Sequence, residues 1–358
     1  MVEDSPMDSP EALSFSKESL RPIPSSDSPM LALPAEIVSE VFLNFLPPYP
    51  DFPDHTGLLS PILLCQICSF WRQIALSTPA LWRAVGIDLR INEDPTTLIQ
   101  KLDVLQTWLS RSGACPLSIR LRYDRNMQVG DSPPSLPQFM DALLPYRLQW
   151  EHLDLIMPHE LLHRIKGEMP LLKSLTFGPS EFPEDDVLSD CFAQAPNLTT
   201  AVLGEYFLPS VMRLPWTQLT SLEGACLYEH ECVQIVALTP ALIHFKAKVV
   251  ADTSETHHVD PCVCPALRTM ILTVGAEAEI ANVLNMLTLP ALRVLEVPEP
   301  FVSTGNSIPV LKELMKRSRC AGLEELRIQW AVISEDEYRE AFPEVQSLIV
   351  WGRDRRAT

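Results

Sequence analysis

Residues 265–272 read PALRTMIL, and residues 290–297 read PALRVLEV. Both follow the template Pro-x-Leu-x-x-Leu-x-apolar, with Met in place of one Leu. The template recurs along the chain, led by Pro170, Pro196, Pro240 and Pro343 or, without the proline, at Trp150 and Leu323; a further unit near Leu219 has an ambiguous phase. The units recur every ~24 residues, and each predicts one short strand and a return segment that cannot bury its apolar face alone. Stacked units would form one continuous core.

This period lies within the range of about 20–29 residues that is typical of leucine-rich repeats, and the units resemble that family. The family carries an Asn or Cys three residues after its last repeat Leu. This chain has other residues at those positions, namely Ser180, Tyr206, Gly275, Pro300 and Ala331. We therefore expect an irregular array with varied outer segments. The predicted fold class is α/β, with a leucine-rich-repeat-like αβ solenoid over residues 87–358.

Residues 31–86 have a different character and predict a short helical module. An apolar stripe over residues 37–46 follows Pro34, which can take a first helical position, and ends at Pro47-Pro48. A Pro-rich loop leads to Ser60-Pro61, which predicts the start of a second helix over residues 62–76. A short turn carries Leu81 and Trp82. Three short helices make a poor core by themselves, so we expect the module to complete its burial against a partner.

Three motifs of this module resemble an F-box. They are Leu33-Pro34-x-Glu36-Ile37-x-x-x-Val41-Phe42, Cys68-x-x-Trp71-Arg72-x-Ile74-Ala75 and Leu81-Trp82. In that family the module binds the Skp adaptor of a cullin–RING ubiquitin ligase. The resemblance implies adaptor contacts at Leu33, Pro34, Ile37, Val41, Cys68, Trp71 and Trp82. The loop over residues 47–61 is longer and richer in proline than the family pattern.

An F-box followed by leucine-rich repeats resembles the substrate receptors of SCF-type ligases, and the degenerate Pro-led array resembles an expanded group in mushroom-forming fungi. The resemblance implies a non-catalytic protein that has no cofactor and binds a Skp-type adaptor and a target protein. Two alternatives stay open. The chain could be a leucine-rich scaffold outside ubiquitylation, whose helical module is a cap with Trp71 and Trp82 in its core, or, more remotely, a zinc metallopeptidase.

Composition limits the partners and the compartment. The chain has 28 Lys and Arg against 46 Asp and Glu, a net charge of −18, which opposes a phosphate backbone or an anionic membrane surface. No apolar run is long enough to span a bilayer. Residues 1–30 are rich in Ser, Pro and acidic residues and predict a disordered tail rather than a targeting signal. We expect a cytoplasmic or nuclear protein with reduced thiols among its nine cysteines.

Three motifs could carry metal or redox chemistry. His159-Glu160-Leu161-Leu162-His163 matches the zinc-peptidase pattern H-E-x-x-H, but Pro158 restricts the helix to start at the first His. Cys65-x-x-Cys68 lies inside a predicted helix without a second pair nearby. His257-His258 with Cys262-x-Cys264 matches no common zinc spacing. We expect none of these sets to bind a metal.

The repeats also predict a target-binding face. If the repeat Leu residues point inward, the intervening residues form the opposite face of the sheet. Toward the C-terminal half this face would include Lys246, Ile271, Glu296, Arg327, Ile349 and Trp351. It also takes in Thr176, Val202, Lys248 and Gln329. We expect it to be less negative than the chain as a whole.

Overall fold

The computed structural model describes residues 33–90, 92–124, 135–181, 190–210, 212–250, 260–274, 283–303, 305–320 and 322–352. The predicted tail over residues 1–30, Gly275, and the pair His257 and His258 lie outside these ranges. Within them the chain is α/β, built on one large parallel sheet. None of the described helices combines the length and the apolar character that a membrane span requires.

Strands are numbered along the chain. They are β1 (Ala84–Arg90), β2 (Leu117–Asp124), β3 (Trp150–Met157), β4 (Ser174–Pro179), β5 (Thr200–Leu203), β6 (Ser221–Tyr228), β7 (His244–Val250), β8 (Cys262–Val263), β9 (Thr269–Val274), β10 (Leu287–Thr288), β11 (Val294–Pro298), β12 (Glu325–Ala331) and β13 (Ser347–Gly352). Among the described residues, eleven of them form one sheet, in which these strands follow one another in chain order, and β8 and β10 pair with each other outside it.

Within the described ranges, three helices precede the first strand and the others lie in the connections between strands. The helices are α1 (Ala35–Phe45), α2 (Pro61–Ile67), α3 (Ser69–Ser77), α4 (Pro95–Arg111), α5 (Leu136–Leu143), α6 (His159–Leu162), α7 (Glu229–Leu238), α8 (Val283–Met286), α9 (Glu299–Val302), α10 (Ile308–Ser318) and α11 (Glu335–Ala341). Short 3₁₀ turns cover Pro79–Trp82, Leu144–Gln149 and Trp216–Gln218. The connections differ in length and content, from four helical residues in α6 to seventeen in α4.

One row of apolar side chains crosses the whole sheet. Paired by register, it consists of Val85, Ile119, Leu153, Leu175, Ala201, Leu222, Phe245, Met270, Leu295, Leu326 and Leu348. Every member except Leu348 is at most 2% exposed. The prediction that the repeat residues point inward is therefore confirmed, and Leu222 settles the ambiguous unit as β6. We call this set the core row.

The second predicted helix is wrong in one respect, because the chain forms two helices there, α2 and α3. Cys68 lies between them in an extended conformation, with φ −156° and ψ 170°. Its Sγ accepts the N–H of Trp71 at 3.4 Å, and the Arg72 side chain donates to the carbonyl of Cys65 at 2.7 Å. These bonds satisfy groups that a continuous helix would pair internally, so the break is stable.

The helical segment and the sheet share one hydrophobic core. Val38 and Phe42 of α1 belong to the same cluster of buried residues as the core row. Trp82 is fully buried, donates its Nε1–H to the carbonyl of Ala75 at 2.9 Å, and packs edge-on against Trp108 of α4 with ring centroids 5.0 Å apart. The domain boundary expected after residue 86 falls inside β1, so the sheet begins at Ala84.

Candidate functional site

Helix α1 has one broad apolar face, of which only a part is buried. Val38 and Phe42 point into the core with exposures of 0% and 1%. Ile37, Val41 and Phe45, each four residues from the next, have exposures of 50%, 44% and 42%. We call these three residues the outer stripe. Large apolar side chains gathered on one exposed face indicate a surface that another molecule covers.

The exposed apolar surface extends over the rest of the helical segment. Of the fourteen large apolar side chains that are exposed in the described part of the chain, seven lie between residues 37 and 76. Besides the outer stripe they are Leu58, Leu59, Ile67 and Leu76. Residues 37–76 are a small part of the described chain, yet they hold half of these exposed apolar side chains.

The structure places the predicted adaptor contacts in different environments. Pro34 is exposed and directly precedes α1, and Leu33 is half-buried. Cys68 and Trp71 are half-buried, and the Trp71 ring packs against Phe42 with centroids 4.9 Å apart. These four residues, like Ile37 and Val41 of the outer stripe, are at least partly exposed, as an adaptor contact requires. Trp82 is the exception.

The assignment of Trp82 as a surface contact is wrong, because its side chain has no exposure and fills the junction between helices and sheet. Phe45, in contrast, was not among the predicted contacts although it continues the outer stripe. Its spacing of four residues from Val41 was the sequence signal that could have identified it.

The Pro-rich loop over residues 47–60 fixes the helical segment to the first strands. The hydroxyl of Tyr49 donates to Glu151 Oε2 on β3 at 2.7 Å, and Ser118 Oγ on β2 donates to the carbonyl of Pro50 at 2.7 Å. The guanidinium of Arg83 lies 4.0 Å from the centre of the Tyr49 ring. The loop therefore holds the outer stripe in a defined orientation relative to the sheet.

Glu151 is the electrostatic centre of this attachment. Its other oxygen accepts a hydrogen bond from Lys173 Nζ at 2.6 Å. Burial alone would raise the pKa of Glu151, but the hydrogen bonds from Lys173 and Tyr49 outweigh it and hold the pKa below its usual value of 4.5. The carboxylate is thus kept ionised as the acceptor for the loop.

The face of the sheet opposite the core carries a second register row, which we call the polar row. It consists of Gly86, Arg120, Asp154, Thr176, Val202, Glu223, Lys246, Ile271, Glu296, Arg327 and Ile349. Five of the six predicted target-binding residues are consecutive members of this row, on neighbouring strands. Trp351 lies two residues beyond Ile349 on β13. The spacing of the repeats thus predicted which side chains share this face.

Two cations of the polar row, Lys246 and Arg327, are paired with carboxylates on neighbouring strands. Lys246 Nζ lies 2.6 Å from Glu223 Oε1. Arg327 donates to Glu296 Oε2 at 3.0 Å and to Glu325 Oε1 at 3.0 Å. The hydrogen bond from Arg327 lowers the pKa of Glu325. Sequence reasoning missed Glu223 because the phase of the β6 unit was open.

Glu296 is also more enclosed than a target-binding residue on an open face would be. Its exposure is 9%, and its carboxylate is held by Arg327 and by the Gln329 side-chain amide. Glu296 and Arg327 therefore order this part of the face. Ile271, Ile349 and Trp351 are partly exposed and remain accessible for contacts.

The described residues of the candidate metal motifs either do not share one helix or are at least partly buried. His159 starts the four-residue helix α6 and His163 follows its end, so the two do not share a continuous helix. Cys264 is fully buried. Burial raises the pKa of the Cys262 and Cys264 thiols, which favours their neutral form. Among the described residues, no three His, Cys, Asp or Glu side chains are grouped so that they could hold a metal ion.

Comparison of the chain with protein-family models and with curated proteins gives no match.

The attachment of the loop can be tested with Tyr49→Phe. Loss of a hydrogen bond to a charged acceptor should lower the free energy of unfolding by about 1.5–3 kcal/mol at neutral pH. The pKa of Glu151 is lowered in the folded chain, so this stabilisation is complete above pH 4.5 and is lost as the pH falls through the lowered value. Urea unfolding of both chains from pH 7 downward measures the difference. A gap that stays constant with pH would contradict the role assigned to Glu151.

Proposed function

We propose that this chain is a substrate-receptor subunit of an SCF-type cullin–RING ubiquitin ligase. The helical segment over residues 33–82 binds a Skp-type adaptor, and the parallel sheet, a leucine-rich-repeat-like solenoid, presents a target protein. The chain supplies no catalytic group in this role and needs no cofactor. It acts in the cytoplasm or the nucleus.

The observation that carries the proposal is the outer stripe on α1. A helix that belongs only to the core would bury its whole apolar face. Here the apolar face continues into solvent at Ile37, Val41 and Phe45. Two of these residues, Ile37 and Val41, are among the positions that the F-box resemblance assigns to adaptor contact, so exposure and sequence motif indicate the same surface.

The polar row supports the second half of the proposal. Its charges are paired on the surface itself, as in Lys246–Glu223 and in the cluster around Arg327. A face with internally balanced charges and partly exposed apolar residues resembles the mixed composition of protein–protein interfaces. We infer that the target contacts this face around Ile271, Ile349 and Trp351.

One observation favours the scaffold alternative. Trp82 lies entirely within the core that joins the helical segment to the sheet, as expected if the segment were a cap on the array. A cap, however, gains nothing from the outer stripe. Adaptor binding therefore distinguishes the two functions.

The adaptor surface is tested by the double change Ile37→Asp and Val41→Asp. Both side chains are exposed, so the chain should fold, while the loss of two central apolar contacts should weaken binding of a recombinant Skp-type adaptor by about 100-fold or more. Calorimetry with the purified full chain measures the affinity.

The matched control is Ile99→Asp on α4, where the apolar side chain is 59% exposed outside the helical segment. This variant should bind the adaptor like the unmodified chain. Equal affinities for the double variant and the control would contradict the assignment, as would absence of binding by the unmodified chain.

The target surface is tested with Lys246→Glu combined with Lys248→Glu. Both lysines are exposed on β7, so the reversal changes the charge of the face opposite the core without opening the core. Target capture should fall by about tenfold, because rim charges steer partners and like charges repel them. Quantitative mass spectrometry of proteins cross-linked to the chain measures it.

The matched control changes two exposed lysines away from this face, Lys166→Glu and Lys316→Glu. The control variant and the test variant then carry the same net charge. The control variant should still capture the target. Adaptor affinity should be unchanged in both. Equal loss of capture in the two variants would show that net charge, rather than this face, governs recognition.

A further inference from the structure

The last strand of the sheet has an open edge. Ser347 donates its N–H to the carbonyl of Glu324 beside β12 at 2.9 Å. Because backbone groups alternate in direction along a strand, Ser347 and Ile349 bond to β12, while the N–H and C=O groups of Leu348 and Val350 point away from it. Among the described residues, no strand follows β13 in the sheet.

Burial along β13 is also incomplete. In the preceding strand the core-facing residues Leu326 and Ile328 have exposures of 1% and 0%. Their register partners Leu348 and Val350 are only partly buried. Since each strand completes its burial only when a further strand covers it, the end of the core row is unfinished.

Two features that usually prevent strand pairing, charge and proline, are absent from β13. Residues 347–352 read SLIVWG, with neither charge nor proline. The opposite edge strand β1 exposes Asp88 and Arg90. Edges of natural sheets are usually protected by charges, proline or a covering element, and an uncharged edge rich in β-branched residues pairs readily with another strand.

The sequence of β13 is complementary to itself. In an antiparallel pair with Ile349 opposite its own copy, Leu348 of each copy lies opposite Val350 of the other on the core side. These are the two residues whose backbone groups point outward, so they can form hydrogen bonds in both directions. One pairing therefore satisfies the open backbone groups and covers both partly exposed side chains.

The flanking charges fit the same arrangement. Glu340 and Glu344 precede β13, whereas Arg353, Arg355 and Arg356 follow it with one acid, Asp354. In sequence, the residues before and after β13 therefore carry opposite charges, which suits pairing of the strand with its own copy in the opposite direction. The N-terminal 32 residues fit the edge less well, because they contain five prolines and are acidic.

We propose that β13 is a self-association surface, at which two copies of this chain pair their last strands antiparallel about Ile349 and form one continuous sheet. The interface is isologous and does not use the outer stripe. Adaptor binding is therefore tested separately from self-association; Ile349 also belongs to the face inferred to contact the target, whereas Val350 lies on the core side.

Sedimentation velocity of the full chain over a range of concentrations tests the proposal. The average mass should rise toward twice that of the monomer. Val350→Pro removes an outward N–H from each copy, which an edge strand tolerates, and should weaken association at least about tenfold. The control Val350→Thr keeps the N–H and the β-branched shape and should associate like the unmodified chain.

A second variant does not depend on proline. Ile349→Lys places two like charges face to face at the two-fold axis, about 5 Å apart between Cβ atoms, and should give a monomer, whereas Ile349→Thr should still associate. A chain that stays monomeric at all concentrations, or a dimer that survives both Val350→Pro and Ile349→Lys, overturns the proposal. A permanent monomer would mean that another segment covers the edge of β13. A dimer that resists both changes would mean that the two copies meet at another surface.

Discussion

The in-register stacking of parallel strands is the constraint on which the rest of this structure depends. A core-row side chain such as Leu175 is buried because a repeat residue lies beside it on each neighbouring strand. The same register, read on the other face, places the polar row on neighbouring strands. One periodic pattern therefore builds the core and the candidate target surface together.

A stacked array of this kind must end twice, and the two ends are treated differently. At the first strand, the helical segment contributes Val38, Phe42 and Trp82 to the shared core, and the loop through Tyr49 fastens it to β3. At the last strand, Leu348 and Val350 remain partly exposed. Closure of the first end buries only part of the apolar face of α1 and leaves the outer stripe available, and this links the architecture to the proposed adaptor contact.

The sequence predicted the periodic features well, because they depend on local spacing. The strand positions, the inward direction of Leu175 or Leu295 and the grouping of Lys246, Ile271 and Arg327 all follow from a repeat that can be counted. It did not predict features that depend on contacts distant in the chain. The burial of Trp82 depends on Trp108, the break at Cys68 on a thiol that accepts a backbone hydrogen bond, and the charge balance on Glu223 in the unit of unresolved phase.

Hydrogen–deuterium exchange of the full chain with and without a Skp-type adaptor tests the central claim most directly. The account predicts that the adaptor slows exchange in residues 35–45 and 61–77 and leaves the strands from β4 to β13 unchanged. Slowed exchange confined to the sheet, or no change in the helical segment at saturating adaptor, would contradict it.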